Sequence, residues 1–512
     1  MISAYSGTAV RATEKPLLDA GQGHALMQKA AYGLYAGTVR ELQSRRGSLY
    51  GARVTVLAGA GNNGGDALYA AARLAGRGAG ISAVLTSDSA HPGALAEFRR
   101  RGGRTLSLSN DIDACLRLCT TADVVLDGIL GTGGKGGLRG PAALLAQTLA
   151  AAEHRPLVIA CDLPSGVDAD TGETPGDHVT ADLTVTFGAV KTGLMAGPGA
   201  LAAGRIECVD IGLGNIPAPA LRRLEPTDLA ALLPVPRSTD HKYTRGVLGI
   251  AAGSVTYPGA AVLATGAALS TGLGMVRYLG PEPVGRLINS VHPEAVCGTG
   301  SVPDTQVQAW VAGPGAGTDE HQRQRALDAM ASGLPAVVDA DAIAYAQPGL
   351  GPQVVLTPHA GELTALLSRL GEDVSRSRIE ADPLRFARRA AALTGATVLL
   401  KGWATLAAAP TGETFSQAEA TPWLATAGSG DTLAGILGAL LATDRWNHDA
   451  GQAPVPGHYA ALAAAAASLH GRSGTLAAQA GPVEPSRLPA AIRTVIRTLQ
   501  DARNAGVAIP VV

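Results

Sequence analysis

From residue 50 onward, short β-branched runs alternate with alanine-rich stretches, and the alternation occurs in two separate series. A helix between two strands returns the chain so that the strands run parallel, so this order dictates repeated βαβ units rather than a sandwich or a bundle. The first series is RVTVLA (53–58), ISAVLT (81–86), ADVVLD (122–127), PLVIAC (156–161), DLTVTF (182–187) and RIECVDI (205–211). Residues 213–240 are proline-rich and read as a strandless connection carrying a short helix, which places a boundary near residue 220. The second series is GVLGIAAG (246–253), GMVRYLG (274–280), AWVAGPG (309–315), PAVVDAD (335–341), VVLTPH (354–359) and TVLLKG (397–402), read as another parallel sheet. Its helices include 259–271, 359–368 and 431–443, and GQAPVPG near residue 451 reads as a surface loop between two helices.

At roughly 150 residues per domain, the 512 residues divide best into two large domains with no internal repeat linking them. The 41 Lys and Arg balance 42 Asp and Glu, and with only 4% aromatic residues there is no basic, aromatic-interleaved patch to track nucleic acid. The cysteines (Cys115, Cys119, Cys161, Cys208, Cys297) lack zinc-site spacing, so reduced thiols are expected, with Cys115 and Cys119 packing a helix. The start has no apolar core flanked by positive charge, and 459–469 is too short and too weakly apolar to span a bilayer. A soluble, cytoplasmic protein without a membrane or nucleic-acid partner is expected.

In open α/β sheets, ligands collect beyond the carboxyl ends of the strands. The first strand runs into AGAGNNGGDALYAAARL, where glycines and asparagines tolerate unusual backbone angles and a helix start offers free N–H groups to a pyrophosphate. A plain strand-to-helix turn is the blander alternative. The strand ending in Asp127 leads into DGILGTGGKGGLRG, and that ending in Cys161 into DLPSGVDADTG, so Asp127, Asp162 and Ser165 should converge with Asn63. Oxygen donors of these types suit a hard, weakly held cation, and a neighbouring carboxylate can serve as acid or base; singly, such aspartates are often only caps or turn formers.

Together GNNGGD, DGILGTG, DLPSGVDADTG and TFGAVKTGL resemble the YjeF N-terminal family, the NAD(P)H-hydrate epimerases, over roughly residues 10–215. The resemblance implies a Rossmann-like three-layer αβα domain, placed at 1–218. It implies that Asn62, Asn63, Gly64, Gly65 and Asp66, with Gly131, Thr132, Gly133, Gly134, Lys135, Gly136 and Gly137, hold the damaged dinucleotide. It further implies that Asn63, Asp127 and Ser165 hold a potassium ion and that Asp162 touches the nicotinamide ring catalytically. Lys191 can assist from the next strand end, or is a surface lysine. Two departures stand out: Ala67 follows NNGGD where glycine is usual, and MQKAA (27–31) lacks the usual acidic residue and glycine. Ala67 should narrow the loop without abolishing binding. Epimerisation at a carbon bearing both a hydroxyl and the ring nitrogen can pass through ring opening or loss of the substituent, and the residues do not choose between them.

TAGSGDTLAG (426–435) places glycine-rich backbone at a helix start, presenting N–H groups to a transferring phosphoryl group, with Asp431 able to take a proton from the acceptor hydroxyl. A capped structural turn is the alternative. The stretch resembles the anion hole and base of ribokinase-like enzymes. With LTPHAGEL (356–363), LLKGWAT (399–405) and AGPGAGTD (312–319) it resembles ADP-dependent NAD(P)H-hydrate dehydratases over about residues 222–500, implying a ribokinase-like αβα domain at 222–505. By that resemblance Lys401, Gly402, Trp403, Ala404, Thr405 and Gly430 contact the nucleotide, and Ala260, Gly317, His359 and Asp431 contact the hydrate, with Asp431 the base. His359 can instead be a packed, hydrogen-bonded histidine, and Lys242, in the loose segment HKYTRG (241–246), receives no role.

The two resemblances share one substrate, hydrated NADH or NADPH (NADHX, NADPHX), which exists as R and S epimers. The implied sequence is epimerisation by the first domain. The second then phosphorylates the S form from ADP with Mg2+, and elimination restores NAD(P)H with AMP and phosphate. The rival is an ATP-dependent small-alcohol kinase fused to a dinucleotide-binding or oligomerisation module. Ribokinase-like domains often assemble, so a homo-oligomer is expected.

Overall fold

The computed structural model describes residues 1–444 and 455–505. The loop expected near residue 451 lies, over 445–454, outside the described residues. The chain divides into two compact units, Ser3–Leu221 and Arg222–Val512, the latter together with Met1–Ile2. No helix among the described residues is long and apolar enough to cross a membrane.

The first unit carries a seven-stranded sheet in the spatial order Arg104–Ser107, Gly80–Leu85, Arg53–Ala58, Val124–Gly128, Leu157–Cys161, Leu183–Phe187, Arg205–Val209. Every pairing in it is parallel, as the βαβ pattern dictates. Successive strand residues face opposite sides, so Val54, Val56 and Leu126 join one apolar layer with Leu34, Leu68, Leu74 and Phe98, whereas Leu57, Val125 and Val158 join another with Cys115, Cys119 and Leu145. Those two helical layers make the unit an αβα sandwich. The strand order reverses between Arg53–Ala58 and Val124–Gly128, registered Leu57↔Asp127 and Ala58↔Gly128, so a crevice opens beyond these two strand ends.

The second unit's strands run Val296–Gly298, Met275–Leu279, Val247–Ala251, Ala309–Ala312, Ala336–Val338, Val354–Leu356, Thr397–Leu400, Thr405–Ala408, Thr414–Gln417, Leu221–Arg223. Here the expectation of a wholly parallel sheet is corrected, because Thr405–Ala408 runs antiparallel to both neighbours. A short hairpin joins it to Thr414–Gln417, and so short a connection permits only an antiparallel partner. The connection around 213–240 is also not strandless: Leu221–Arg223 pairs with Thr414–Gln417 through Arg222↔Phe415, ahead of the helix Pro226–Leu232. The order reverses between Val247–Ala251 and Ala309–Ala312. Behind the sheet the helices Pro258–Thr271, Ser429–Thr443 and His458–Ala478 bury a core built largely of alanine. Small side chains let backbones approach closely: a Cβ on Gly435 would stand 2.2 Å from the carbonyl oxygen of Ala264.

Candidate active sites

At the first unit's switch point the helix Asn62–Ala75 begins four residues after its strand ends. Its first turn is pressed on the strand ends so closely that a Cβ on Gly64 would meet the Gly59 carbonyl oxygen at 2.3 Å, and one on Gly59 would meet the Ile129 oxygen at 2.1 Å. Ala67, the departure from the expected glycine, is fully buried, and its methyl occupies the space left by Gly128, whose own Cβ would lie 2.8 Å away. Asn62 is exposed, Asn63 half-buried, and Gly64, Gly65 and Asp66 buried.

The expected convergence is present. Ser165 Oγ donates to Asp127 Oδ1 at 2.6 Å, Ser165 N–H donates to Asp127 Oδ2 at 2.7 Å, and Ser165 Oγ accepts the Leu130 N–H at 2.9 Å. Asn63 reaches the same loop by donating Nδ2–H to the Leu130 carbonyl at 2.9 Å. Asp127 is fully buried, burial pushes its carboxyl up to about 6 against those hydrogen bonds, and no cationic side chain pairs with it among the described residues. An uncompensated buried carboxylate with amide and hydroxyl oxygens around it fits a hard monovalent cation. No group of three His, Cys, Asp or Glu suited to a metal occurs among the described residues, so this oxygen set is unlike a transition-metal site.

Asp162 follows its strand with φ +67°, a left-handed conformation that aspartate tolerates better than most residues and that turns its side chain back over the strand ends. Its Oδ1 accepts from Lys191 Nζ at 2.5 Å and Thr186 Oγ1 at 3.1 Å, and its Oδ2 accepts from the Thr132 hydroxyl and, at 3.3 Å, the Thr132 N–H. Burial alone would raise this carboxyl, but Lys191 and these donors outweigh it and hold Asp162 below the usual value. Lys191 is 2% exposed, so the surface-lysine alternative is excluded. Thr132 is thereby in the site; its carbonyl accepts from Arg11 at 2.5 Å. Gly133 and Lys135 are exposed, while Gly137 lies against Gly176 so closely that a Cβ would stand 2.6 Å from its Cα. Sequence reasoning missed Glu14, on the helix Gly7–Asp19, whose carboxyl is raised by burial and feels Lys191 and Asp162. No local motif marks it.

In the second unit, Gly428 at φ +92° starts the helix Ser429–Thr443, whose Ser429 and Thr432 amides bond Thr426 and Gly428 while those of Gly430 and Asp431 have no backbone partner among the described residues. A Cβ on Gly430 would lie 3.8 Å from Lys401 Nζ and 3.9 Å from Asp339 Oδ2, so the helix end, a lysine and a carboxylate share one space. Lys401 Nζ donates to Asp339 Oδ1 at 2.8 Å and stands 3.7 Å from Glu362 Oε2. Burial would lower Lys401, but Asp339 and Glu362 outweigh it and raise it, so the ammonium persists. Burial first, then the charge of Asp339, push Asp431 up to about 6. His359 caps the helix Ala360–Arg369, accepting the Glu362 N–H at Nδ1 (3.1 Å) while Glu362 accepts the His359 N–H (2.8 Å). Its ring remains 58% exposed, so it is a cap rather than a packed core histidine.

Beyond the second unit's switch point, Gly317, at φ +60°, donates its N–H to Asp341 Oδ2 at 2.7 Å, and Ala260 packs where a Cβ on Gly315 would meet its own at 2.7 Å. A cavity of about 950 Å³ opens here, lined by Ser254, Tyr257, Gly317, Asp341, Glu362 and Arg369 among others. Gly402 and Trp403 are exposed and Ala404 is buried before the strand Thr405–Ala408. Lys242 lies on the surface with its ammonium 5.1 Å from the Tyr243 ring centre. Asp339 and Asp341 carried no sequence-derived role; two aspartates bracketing Ala340, itself at φ +50°, right after a strand were the available signal.

Residues 23–193 match the family described as YjeF-related protein N-terminus, and residues 248–496 match NAD(P)H-hydrate dehydratase. The chain is 43% identical over 448 residues to the bifunctional NAD(P)H-hydrate repair enzyme Nnr of Mycobacterium tuberculosis, covering 86% of this chain and 89% of that one. It is 44% identical over 233 residues to the NAD(P)H-hydrate epimerase of Microbacterium testaceum, covering 45% of this chain and 85% of that one. A solved ADP/ATP-dependent NAD(P)H-hydrate dehydratase from Bacillus subtilis, co-crystallised with ATP/Mg2+, superposes with a TM-score of 0.48 at 27% identity, covering 54% of this chain and 98% of that one.

Proposed function

Because the chain belongs to the family of bifunctional NAD(P)H-hydrate repair enzymes, we propose that residues 1–218 interconvert the R and S epimers of NADHX and NADPHX and that residues 222–505 dehydrate the S form at the expense of ADP. In the first unit, Asn62 to Asp66 and the loop 131–137 cradle the dinucleotide, and Asp162, kept ionised beside Lys191, faces the hydrated ring as a base. A potassium ion held by Asn63, Asp127 and Ser165 would supply the positive charge that the buried Asp127 lacks.

In the second unit, Lys401 and the amides at the start of the helix Ser429–Thr443 receive the phosphoryl group, with Lys401 to Thr405 and Gly430 along the nucleotide. Ala260, Gly317 and His359 position the hydrate, and Asp431 takes the proton of its hydroxyl as the oxygen attacks the β-phosphorus of ADP. AMP leaves, the hydroxyl has become a phosphate ester, and loss of phosphate with a ring proton restores NAD(P)H. Magnesium accompanying ADP would offset phosphate charge, and Asp339 offers a carboxylate oxygen of the kind it prefers. The observation carrying this reading is the approach of Lys401, Asp339 and Asp431 to one glycine-flanked helix end. Its test is dehydration of the S epimer with ADP or ATP, identifying the nucleotide product: AMP from ADP is expected, and activity with ATP alone would overturn the ADP assignment.

A further inference from the structure

Asp66 sits in the first turn of the helix Asn62–Ala75, 8% exposed, and its Oδ1 has no hydrogen-bond partner among the described residues. A bare, buried carboxyl oxygen is costly to maintain, and such an atom at a ligand-binding turn points to a role completed by what binds there. Asp66 feels the charges of Asp162, at a neighbouring strand end, and of Glu14, on the helix Gly7–Asp19, and its own charge reaches the Cys161 thiol. Burial, then the charges of Asp162 and Glu14, hold Asp66 well above the usual carboxylate range, whereas Lys191 and four donors keep Asp162 below it. Burial first, then the charges of Asp66, Asp162 and Asp127, raise the Cys161 thiol well above its usual range. Two carboxyl groups that feel each other's charge and are driven in opposite directions match an acid and a base of one site.

Resting on the epimerase reading above, we propose that Asp66 is a second catalytic residue of the first unit, the acid that protonates the ring nitrogen while Asp162 takes the proton of the hydroxyl on the adjoining carbon. The O–H electron pair becomes the second bond of a carbonyl, the carbon–nitrogen bond breaks with its pair going to nitrogen, and the Asp66 proton lands there. The freed aldehyde turns about its bond to the next ring carbon and offers its opposite face. Nitrogen then re-attacks, its proton returns to Asp66, and the Asp162 proton returns to oxygen. The cycle consumes no oxidant, reductant or co-reactant.

The test uses the full chain with Asp66→Asn, which keeps the shape but has no carboxyl proton to give. R-to-S interconversion of NADHX, followed chromatographically without nucleotide, should fall by about a hundredfold or more. Affinity for NAD+, an unreactive probe, should fall far less than the rate, and ADP-driven dehydration of pure S epimer should be unchanged. Interconversion at the wild-type rate overturns the proposal and leaves the epimerase reading standing; loss of NAD+ affinity in step with rate overturns it too, leaving Asp66 with its binding role alone. A wild-type chain that cannot interconvert the epimers fails the epimerase reading itself. Should the variant not fold, as read by circular dichroism, the wild-type pH profile decides: an acid-requiring rate declines from neutral to alkaline pH, and a rate that holds there overturns the proposal.

Discussion

Lys191 and Asp162 are a buried pair, and removing one member leaves the other's charge without compensation. Lys191→Met should therefore cost the first unit about 3–5 kcal/mol, the usual penalty for orphaning a buried ion, seen as faster hydrogen exchange in Val124–Gly128 and Leu157–Cys161. Unchanged exchange would mean that the pair is solvated in solution. As the proposed base of the second unit, Asp431 must be ionised to work, and it is pushed up to about 6. The dehydration rate should accordingly fall by about tenfold per pH unit below that value, in a pH–rate profile with pure S epimer. A rate indifferent to acidification would place the base elsewhere. Most of these groups were legible from their place in a motif: Asp127 and Asp162 stand at strand ends and Asp431 at a helix start. Burial of Lys191 was not legible, since the sequence does not reveal that the two-residue strand Val190–Lys191 sets its ammonium against Asp162. Glu14 and Asp339 were missed because their neighbours come from distant parts of the chain.

At the scale of elements, the glycines divide by what surrounds them. Gly64→Ala would drive a methyl against the Gly59 carbonyl, so the helix start must shift, abolishing dinucleotide binding and epimerisation and lowering the thermal midpoint by several degrees. Gly133→Ala meets nothing within 4 Å and should leave the midpoint within about a degree. Scanning calorimetry on both variants separates them, and equal shifts would contradict the close packing at the switch point. The strands beside these turns were readable from β-branched runs between glycine-rich turns. The hairpin Thr405–Ala408 and Thr414–Gln417 was not, because TLAAAPTGETFSQ is rich in alanine and strand direction leaves no mark on periodicity. Leu221–Arg223 escaped for a different reason: three residues amid prolines are too few to show an alternation.

At the scale of the whole chain, each unit has its own core and its own candidate site beyond strand ends, the first at a reversal of strand order and the second extending from such a reversal to the ends of Ala336–Val338 and Thr397–Leu400. On the proposed reading the two sites serve one substrate, so disabling one should expose the other's share of the work. The most direct measurement is the return of reduced-nicotinamide absorbance from a mixture of NADHX epimers supplied with ADP, comparing wild type, Asp162→Ala and Asp431→Ala. Recovery of both epimers by wild type, of only the S share promptly by Asp162→Ala, and of neither by Asp431→Ala is the predicted pattern. No recovery by wild type with either ADP or ATP, or prompt recovery of both epimers by Asp162→Ala, would contradict the division of repair between the two units.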